Sequence, residues 1–162
     1  MVHQELYQAK HLSRIDICAY LRKLVETTCD QVHAQHPVVL SFDLEPVDIL
    51  LDSAIPLGLI VIELVGNCLR HAFTTEGREA APAELRVYSH VSETGVIEVG
   101  VSDNGIGWAP EEGSTALESG GLGLASLLVT GQLGGTISFS KNCGTRCVIR
   151  FEDNHYSERV QL

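Results

Sequence analysis

Basic residues are scarce in this sequence. It has 11 lysines and arginines against 21 aspartates and glutamates among 162 residues, a formal net charge of −10 at pH 7. Such a surface repels polyanions, so we expect neither nucleic acid nor an anionic membrane as a partner. A polyanion can still bind locally where a metal ion and backbone amides neutralise its charge.

Long apolar runs and paired cysteine motifs are also missing. No run approaches the roughly 20 apolar residues of a membrane span, and the N-terminus does not read as a signal peptide. The five cysteines are an odd number without CxxC spacing, and the seven histidines include no HExxH pair. We therefore expect a cytoplasmic chain with reduced thiols, no direct membrane insertion and no cysteine or histidine metal centre.

The sequence lacks both standard phosphate-binding loops. The Walker pattern GK[ST] occurs nowhere. Neither the pair Gly105 and Gly107 nor the pair Gly121 and Gly123 continues to a third glycine at Rossmann spacing. Phosphate binding by either loop type is therefore excluded.

The length fits one domain built from alternating helical and strand patterns. We predict helices at about 17–32, 57–73 and 122–133, and strands at 38–44, 47–51, 84–91, 96–102, 136–140 and 145–151. Asp16 would cap the first helix, Pro56 would occupy the first turn of the second, and strand 47–51 would form a hairpin with strand 38–44. This order predicts an α+β fold: a two-layer α/β sandwich whose mixed, mostly antiparallel sheet carries helices on one face.

The most apolar predicted helix, Leu57–Phe73, keeps its few polar side chains on one side. At about 100° per residue, Glu63, Asn67, Arg70 and His71 share an arc about 100° wide. The opposite side is predicted to be core: Leu57, Val61, Val65, Cys68 and Ala72. From this helix alone, a solvated stripe and a functional site explain the polar arc equally well.

Two glycine motifs follow strands of the predicted sheet. Asp103 ends a strand and precedes Gly105 and Gly107. A carboxylate at the mouth of the core needs a donor, which the exocyclic amine of a purine would supply, although a plain turn explains the same residues. Gly144-Thr145 precedes the last strand. The Thr145 hydroxyl could share a water with Asp103, or the pair could be a simple turn.

A third glycine motif, Gly120-Gly121-Leu122-Gly123-Leu124, follows an aperiodic loop at 108–120 and opens a helix. N–H groups at a helix N-terminus bind phosphate well, and here no Cβ would obstruct them. A hinge for the loop is the alternative, and the two interpretations are compatible.

In order along the chain, these motifs resemble a known nucleotide site. Glu63–Asn67 with His71, then DNGIG, GGLGL and GT, are similar to the N, G1, G2 and G3 boxes of the Bergerat ATP-binding fold. That superfamily includes type II topoisomerase ATPase subunits, high-molecular-weight heat-shock chaperones, mismatch-repair ATPases and sensor histidine kinases. AIPLGLIVIELVGNCLRHAF and GGLGLASLLVTGQLGG most resemble bacterial sensor histidine kinases with a short second-type dimerisation domain.

The resemblance implies ATP and Mg²⁺ as cofactors and gives each motif residue a role. Asn67 would coordinate Mg²⁺, and Glu63 would be the base-like or water-orienting catalytic group beside it. Arg70 and His71 would contact phosphates, and Asp103 would read the adenine amine. The other assigned residues are Gly105 and Gly107 at the base, Gly121, Leu122 and Gly123 at the phosphates, and Thr145 at the adenine end, with residues 108–120 as the ATP lid.

The implied function is transfer of the ATP γ-phosphoryl group to a histidine outside this chain. That histidine would be carried by a dimerisation domain in cis or in trans, with a response regulator downstream. Residues 1–12 would be a remnant of a dimerisation helix or a linker, 13–151 the catalytic domain and 152–162 a C-terminal tail.

Two other functions stay open. An anti-sigma-factor serine kinase has the same fold without the histidine hairpin. A phosphotransferase-like module with degenerate ATP binding is the second alternative, and the intact motifs around Asn67 and Asp103 argue against it.

Overall fold

The computed structural model describes residues 13–34, 37–73, 82–107, 120–141 and 143–153. The predictions made for 1–12, 74–81, 108–119 and 154–162 lie outside these residues. The described elements are β1 (Arg14–Asp16), α1 (Ile17–Gln31), β2 (Val38–Leu44), β3 (Asp48–Leu50), α2 (Leu51–Asn67), β4 (Ala83–Val91), β5 (Val96–Asp103), α3 (Gly120–Leu128), β6 (Thr136–Lys141) and β7 (Thr145–Glu152). Helices α2 and α3 continue into π-helical turns at Cys68–Ala72 and Val129–Leu133.

A mixed five-stranded sheet forms one of the two layers. Its strand order is β2-β4-β5-β7-β6, with β2 parallel to β4 and the other neighbours antiparallel. Along β5, Ile97, Val99 and Val101 are buried in the core shared with the helices, whereas Glu98 and Ser102 belong to the other face. The expected two-layer α+β sandwich is confirmed.

Helix α2 begins earlier than the sequence analysis expected. It starts at Leu51, so the prediction that Pro56 occupies its first turn is wrong. Pro56 lies inside the helix and cannot donate to the carbonyl of Asp52, four residues before it. The nearby Ala54 carbonyl accepts a 2.8 Å hydrogen bond from the Tyr20 hydroxyl of α1. From the local sequence alone, Pro56 would be expected at the start of the helix. Contacts with the rest of the fold therefore extend the helix beyond this proline toward the N-terminus.

The extended helix is also longer and more apolar than the sequence analysis allowed. Residues 51–72 form a segment of 22 residues with a mean hydropathy of 1.5, enough by length and composition to cross a bilayer. However, 61% of its most apolar window is buried inside the fold. The predicted core side, including Leu57, Val61 and Val65, is fully buried, which identifies α2 as the central core helix.

The predicted hairpin between strands 38–44 and 47–51 does not form. Strand β3 pairs antiparallel with β1, not with β2. After β2 the chain stays on β4, because Glu45 N–H donates to the Ser89 carbonyl at 3.1 Å and the Glu45 carboxylate accepts from Val91 N–H at 3.1 Å. These bonds carry the chain past the end of β2, where a hairpin would have to turn back.

The N-terminal part of the described chain follows the prediction closely. Asp16 caps α1 by accepting from Cys18 N–H at 3.0 Å. Helix α1 then packs tightly on α2, where a Cβ added to Gly58 would lie 2.2 Å from the Tyr20 hydroxyl oxygen. A larger residue at position 58 would push the two helices apart.

The N-terminus of α2 is capped by a residue a hundred positions away. Its N-cap residue, Leu50, makes no side-chain cap. Asp153, directly after β7, accepts from Leu50 N–H at 2.9 Å and from the buried Ser53 hydroxyl. Arg14 lies 4.0 Å from the same carboxylate. The negative charge at the positive end of the helix joins the last strand to the core helix.

Replacing this cap should weaken the whole fold. We expect Asp153→Ala to lower the free energy of unfolding by about 2 kcal/mol, because Leu50 N–H and the Ser53 hydroxyl lose a buried acceptor. Asp153→Asn keeps one carbonyl oxygen and should lose about half of that. Urea unfolding monitored by circular dichroism gives both values. The control is Asp48→Ala, at an exposed aspartate of β3. Equal stability of all three variants would contradict the cap.

The other end of α2 is joined to the loop after β5. Ile106 N–H donates to the Ala72 carbonyl at 3.0 Å. A Cβ added to Gly105 would lie 2.2 Å from that same carbonyl oxygen. The helix end and the loop approach so closely that no side chain fits between them.

Gly105→Ala should therefore be costly. We expect it to reduce the free energy of unfolding by about 1–3 kcal/mol, since the backbone of Ala72 has to move. Gly131→Ala is the matched control, because a Cβ there would meet nothing within 4 Å. That control should keep the free energy of unfolding or raise it by up to about 1 kcal/mol, because alanine favours the helical turn at Val129–Leu133. Thermal and urea unfolding of the two variants measure the difference, and similar losses would show that the contact is unimportant.

Candidate functional site

The polar side chains of α2 divide into two pairs with different surroundings. Glu63 and Asn67 are half-buried in the last turns of the α-helix. Arg70 and His71 are exposed and belong to the π-helical turn that follows. Such turns are often found at functional sites. The predicted polar arc therefore passes from the core edge at Glu63 to solvent at His71.

Arg70 folds back along the helix. Its Nη2 donates to Asn67 Oδ1 at 3.4 Å, a long hydrogen bond, and a Cβ on Gly66 would lie 3.0 Å from the same nitrogen. The guanidinium thus lies beside the Asn67 amide. A cation at this position favours an anionic group near Asn67.

The carboxylate of Asp103 is the centre of the site. It ends β5 on the core face and is 9% exposed. Its Oδ1 accepts from Gly105 N–H at 2.9 Å and from Thr145 N–H at 3.2 Å. Its Oδ2 is buried and has no hydrogen-bond partner among the described residues. Two backbone donors thus fix the carboxylate while one oxygen keeps its full accepting capacity.

Glycines bring two loops together around Asp103. Gly144 has φ +133°, and a Cβ there would lie 1.8 Å from the Asp103 carbonyl oxygen. Gly107 has φ +81°, and a Cβ there would lie 2.9 Å from Lys141 Cγ. The turn between β6 and β7 therefore packs directly on the loop after β5. The structure brings the predicted residues Gly105, Gly107 and Thr145 together, with Thr145 reaching Asp103 through its backbone N–H.

Cys68 was assigned only to the core, yet it lies beside Asp103. Burial, and then the negative charge of Asp103, raise the pKa of the Cys68 thiol well above its usual range. The thiol stays protonated and interacts with the Asp103 side chain, but a thiol is so weak a donor that it does not satisfy Oδ2. Because Cys68 directly follows Asn67, its proximity to Asp103 shows that this end of the helix lies near the carboxylate.

The phosphate-binding motif is described only in part. Gly120, Gly121, Leu122 and Gly123 form the first turn of α3, as predicted, and Gly123 is buried. Residues 108–119 of the predicted lid at 108–120 lie outside the described residues, and Gly120 is the first residue of α3. Within the described ranges, no three histidine, cysteine, aspartate or glutamate side chains converge as a metal site.

Several solved structures share this architecture. The chain is similar to the histidine kinase domain of the Erythrobacter litoralis EL346 blue-light activated histidine kinase, with 24% identity and a TM-score of 0.74, covering 91% of this chain and 65% of that one. The Acinetobacter baumannii histidine kinase AdeS gives 22% identity and a TM-score of 0.66, covering 88% of this chain and 68% of that one. The catalytic domain of the histidine kinase ThkA gives 14% and 0.67, covering 87% and 96%. At such low sequence identities, these similarities show only that the chain has the same fold as these structures.

The chain also matches only part of the length of the Erythrobacter structures. The chain spans 65% of the Erythrobacter kinase domain and 44% of the longer chain of that kinase. No curated protein sequence matches significantly. The family model described as histidine kinase-, DNA gyrase B- and HSP90-like ATPase matches residues 52–155. Because that range is most of the chain and includes the whole cluster around Asp103, the chain belongs to this ATPase family.

Proposed function

We propose that this domain binds Mg·ATP and transfers the γ-phosphoryl group to a histidine outside the chain, as the catalytic domain of a two-component sensor histidine kinase. The observation that carries the proposal is the buried Asp103 Oδ2, an acceptor with no partner among the described residues. ATP binding itself follows from the family. The kinase activity, the acceptor and the site residues are our inference.

Asp103 fits the exocyclic amine of adenine. A buried carboxylate oxygen without a donor costs about 1–3 kcal/mol, which a ligand N–H recovers on binding. Guanine would present a carbonyl oxygen where adenine has its amine, so the carboxylate would repel it. Gly105 and Gly107 let the loop after β5 pack closely beside the carboxylate, where we propose that they line the base, with Thr145 completing this end. The protonated Cys68 adds no charge that would compete.

The phosphates would lie between α2 and the start of α3. Arg70 and His71 are exposed and near Asn67 along the π-helical turn, so their donors can turn toward an anion. The first turn of α3, at Gly121, Leu122 and Gly123, offers backbone N–H groups without intrahelical partners. Positive charge thus comes from the Arg70 guanidinium group and from the N-terminus of α3 in an otherwise acidic chain.

Asn67 is the metal ligand that this chain offers. Its half-buried Oδ1 is a neutral oxygen, and oxygen ligands with several waters are what Mg²⁺ prefers. When bound, Mg²⁺ would neutralise the phosphate oxygens and fix the geometry of the triphosphate. Arg70 would then leave Asn67 for a phosphate, because its present bond is long.

Glu63 would orient the acceptor or a water near the reacting phosphorus. It lies one helical turn before Asn67 on the same face and is half-buried. Phosphoryl transfer needs positioning and charge neutralisation more than covalent participation by the protein. Residues 13–151 would supply this machinery, with 1–12 as linker or dimerisation remnant and 152–162 as tail. The first two residues of that tail belong to the fold, because Glu152 ends β7 and Asp153 caps α2. The chain would act in the cytoplasm.

An exposed apolar surface supports docking on a helical partner. Ile55, Leu59 and Ile62 of α2 are 53%, 49% and 37% exposed and lie on one helix face. Leu124 and Leu127 of α3 are 52% and 69% exposed, and α3 packs against α2. Exposed apolar side chains grouped in this way mark interaction sites. A histidine-bearing dimerisation domain, in cis or in trans, is the partner we propose, with a response regulator receiving the phosphoryl group.

The nucleotide site can be tested by isosteric changes. Asp103→Asn keeps the Oδ1 bonds but turns an amide toward the adenine amine, and Asn67→Asp disturbs the metal and phosphate end. We expect each to weaken binding of a fluorescent ATP analogue about 30-fold or more. The control is Asp48→Asn, at an exposed aspartate of β3 that is not part of the proposed site. It should change the affinity less than about twofold. Tight binding by both site variants would refute the assignment.

The acceptor can be tested by the chemistry of the product. With radiolabelled ATP and a purified dimerisation hairpin from the same organism, we expect acid-labile, base-stable phosphohistidine. Leu127→Ser should reduce transfer about tenfold while leaving ATP affinity unchanged, because it removes an apolar anchor from the docking surface. Val39→Ser, at a 54% exposed valine of β2, is the control. Acid-stable phosphoserine on a partner protein would favour the anti-sigma-factor kinase instead.

A further inference from the structure

The face of the sheet that turns away from the helices carries a row of hydroxyl and guanidinium groups. By strand register, Ser41 of β2 pairs with Arg86 of β4, Arg86 with Ser102 of β5, Ser102 with Arg146 of β7, and Arg146 with Ser140 of β6. We refer to these five residues as the outer row. It crosses all five strands and contains no carboxylate.

A cavity of about 340 Å³ lies over this row. Its lining comes mostly from outward-facing side chains of four strands, together with the strand-end residues next to them: Arg86, Tyr88, Ser102, Asp103, Ser140, Thr145 and Arg146. The volume is within the range of small-ligand sites, which is about 300–1,000 Å³. The two arginines flank Ser102, so their backbones are about 10 Å apart and their side chains can reach one ligand from both sides.

Tyr88 holds both guanidinium groups in place. Its ring lies over Gly100, where a Cβ would be 1.9 Å from the ring. Arg86 and Arg146 lie 5.7 Å and 5.3 Å from the ring centroid. Arg146 Nη2 also donates to the Tyr88 hydroxyl at 2.8 Å. Fixing the arginines before a ligand arrives removes much of the side-chain entropy cost of binding.

Two nearby carboxylates already have cationic partners. Glu98 accepts from Arg150 Nε at 2.7 Å and from the Tyr88 hydroxyl at 2.9 Å. Asp43, 75% exposed, pairs with Arg86 of the outer row itself at 3.1 Å. Arg146 donates to a neutral phenol through Nη2, which is one of the guanidinium group's nitrogens. Positive charge therefore persists at Arg146, and Arg86 can join it by leaving a solvent-exposed ion pair that costs little to break.

We propose that the outer row is an anion site that binds a phosphate monoester. Two guanidinium forks and the hydroxyls of Ser102 and Ser140 match a dianion with three terminal oxygens. A single carboxylate would satisfy only one fork. The cavity adjoins the proposed adenine pocket at Asp103 and Thr145, which lie at its edge. The two sites differ in the face they use, because Asp103 and Ser102 are adjacent residues of one strand and point to opposite faces of the sheet.

The binding test uses phenyl phosphate and inorganic phosphate as probes, with Mg·ADP present in excess. We expect saturable shifts of the Ser102, Ser140 and Arg146 amide signals in heteronuclear NMR spectra, with phenyl phosphate binding at least as tightly as inorganic phosphate. Arg146→Ala should weaken binding about tenfold or more, and Arg146→Lys by an intermediate factor because it keeps the charge but loses the fork. Titration without ADP shows whether these shifts depend on the nucleotide site.

Lys23→Ala is the control, since it removes one positive charge from an exposed position of α1 that does not line the cavity. It should change the affinity less than about twofold. Equal losses in Arg146→Ala and Lys23→Ala, shifts that do not saturate, or equally tight binding of benzoate would overturn the proposal. If Arg146→Ala does not fold, the loss of phosphate affinity in Arg146→Lys still tests the proposal.

The source of the phosphate can be separated by a third probe. A capped phosphoserine peptide that binds more tightly than phenyl phosphate would identify a phosphorylated protein segment as the ligand. Equal or weaker binding of the peptide would identify a small-molecule phosphate. Loss of ATP binding in Asp103→Asn, with phosphate binding at the outer row retained, would show that the two sites are independent.

Discussion

The site depends on one constraint: a carboxylate buried at the end of a strand must be held by donors that leave one oxygen without a hydrogen bond. Asp103 meets it with two backbone N–H groups on Oδ1, from Gly105 and Thr145. Those donors come from loops that follow different strands, so both loops have to close on the carboxylate. Gly144 makes this possible, because any side chain there would collide with the Asp103 backbone. The glycine motifs are therefore packing requirements as well as room for a ligand.

The two ends of α2 are held by the same pair of strands that carries this carboxylate. Its C-terminal turn meets the loop after β5 through the Ala72 carbonyl, and its N-terminus is capped by Asp153 after β7. Strands β5 and β7 are neighbours in the sheet. Both ends of the core helix are thus tied to one strand pair, which also carries Asp103 and Thr145. A displacement of the helix would move Asn67 relative to Asp103, so the clamps at the helix ends set the geometry between the two halves of the proposed nucleotide site.

Local patterns were enough to predict most of the elements and the cluster around Asp103. The Asp16 cap and the strand at 96–102 are short-range signals, and both are confirmed. The roles assigned to the glycines stay predictions. The errors have long-range causes. Helix α2 begins at Leu51 because Asp153 supplies its cap and Tyr20 bonds the Ala54 carbonyl, and neither residue is near in sequence. Strand β3 pairs with β1 because Glu45 remains bonded to β4. Cys68 could not be placed beside Asp103 without the packing of helix on sheet.

The alternation of a strand lets one sheet carry two different chemistries. On the core face, β5 ends in Asp103, an acceptor surrounded by apolar side chains and a protonated thiol. One residue earlier, Ser102 faces outward between two arginines. A ligand with an amine suits the first face and a dianion suits the second.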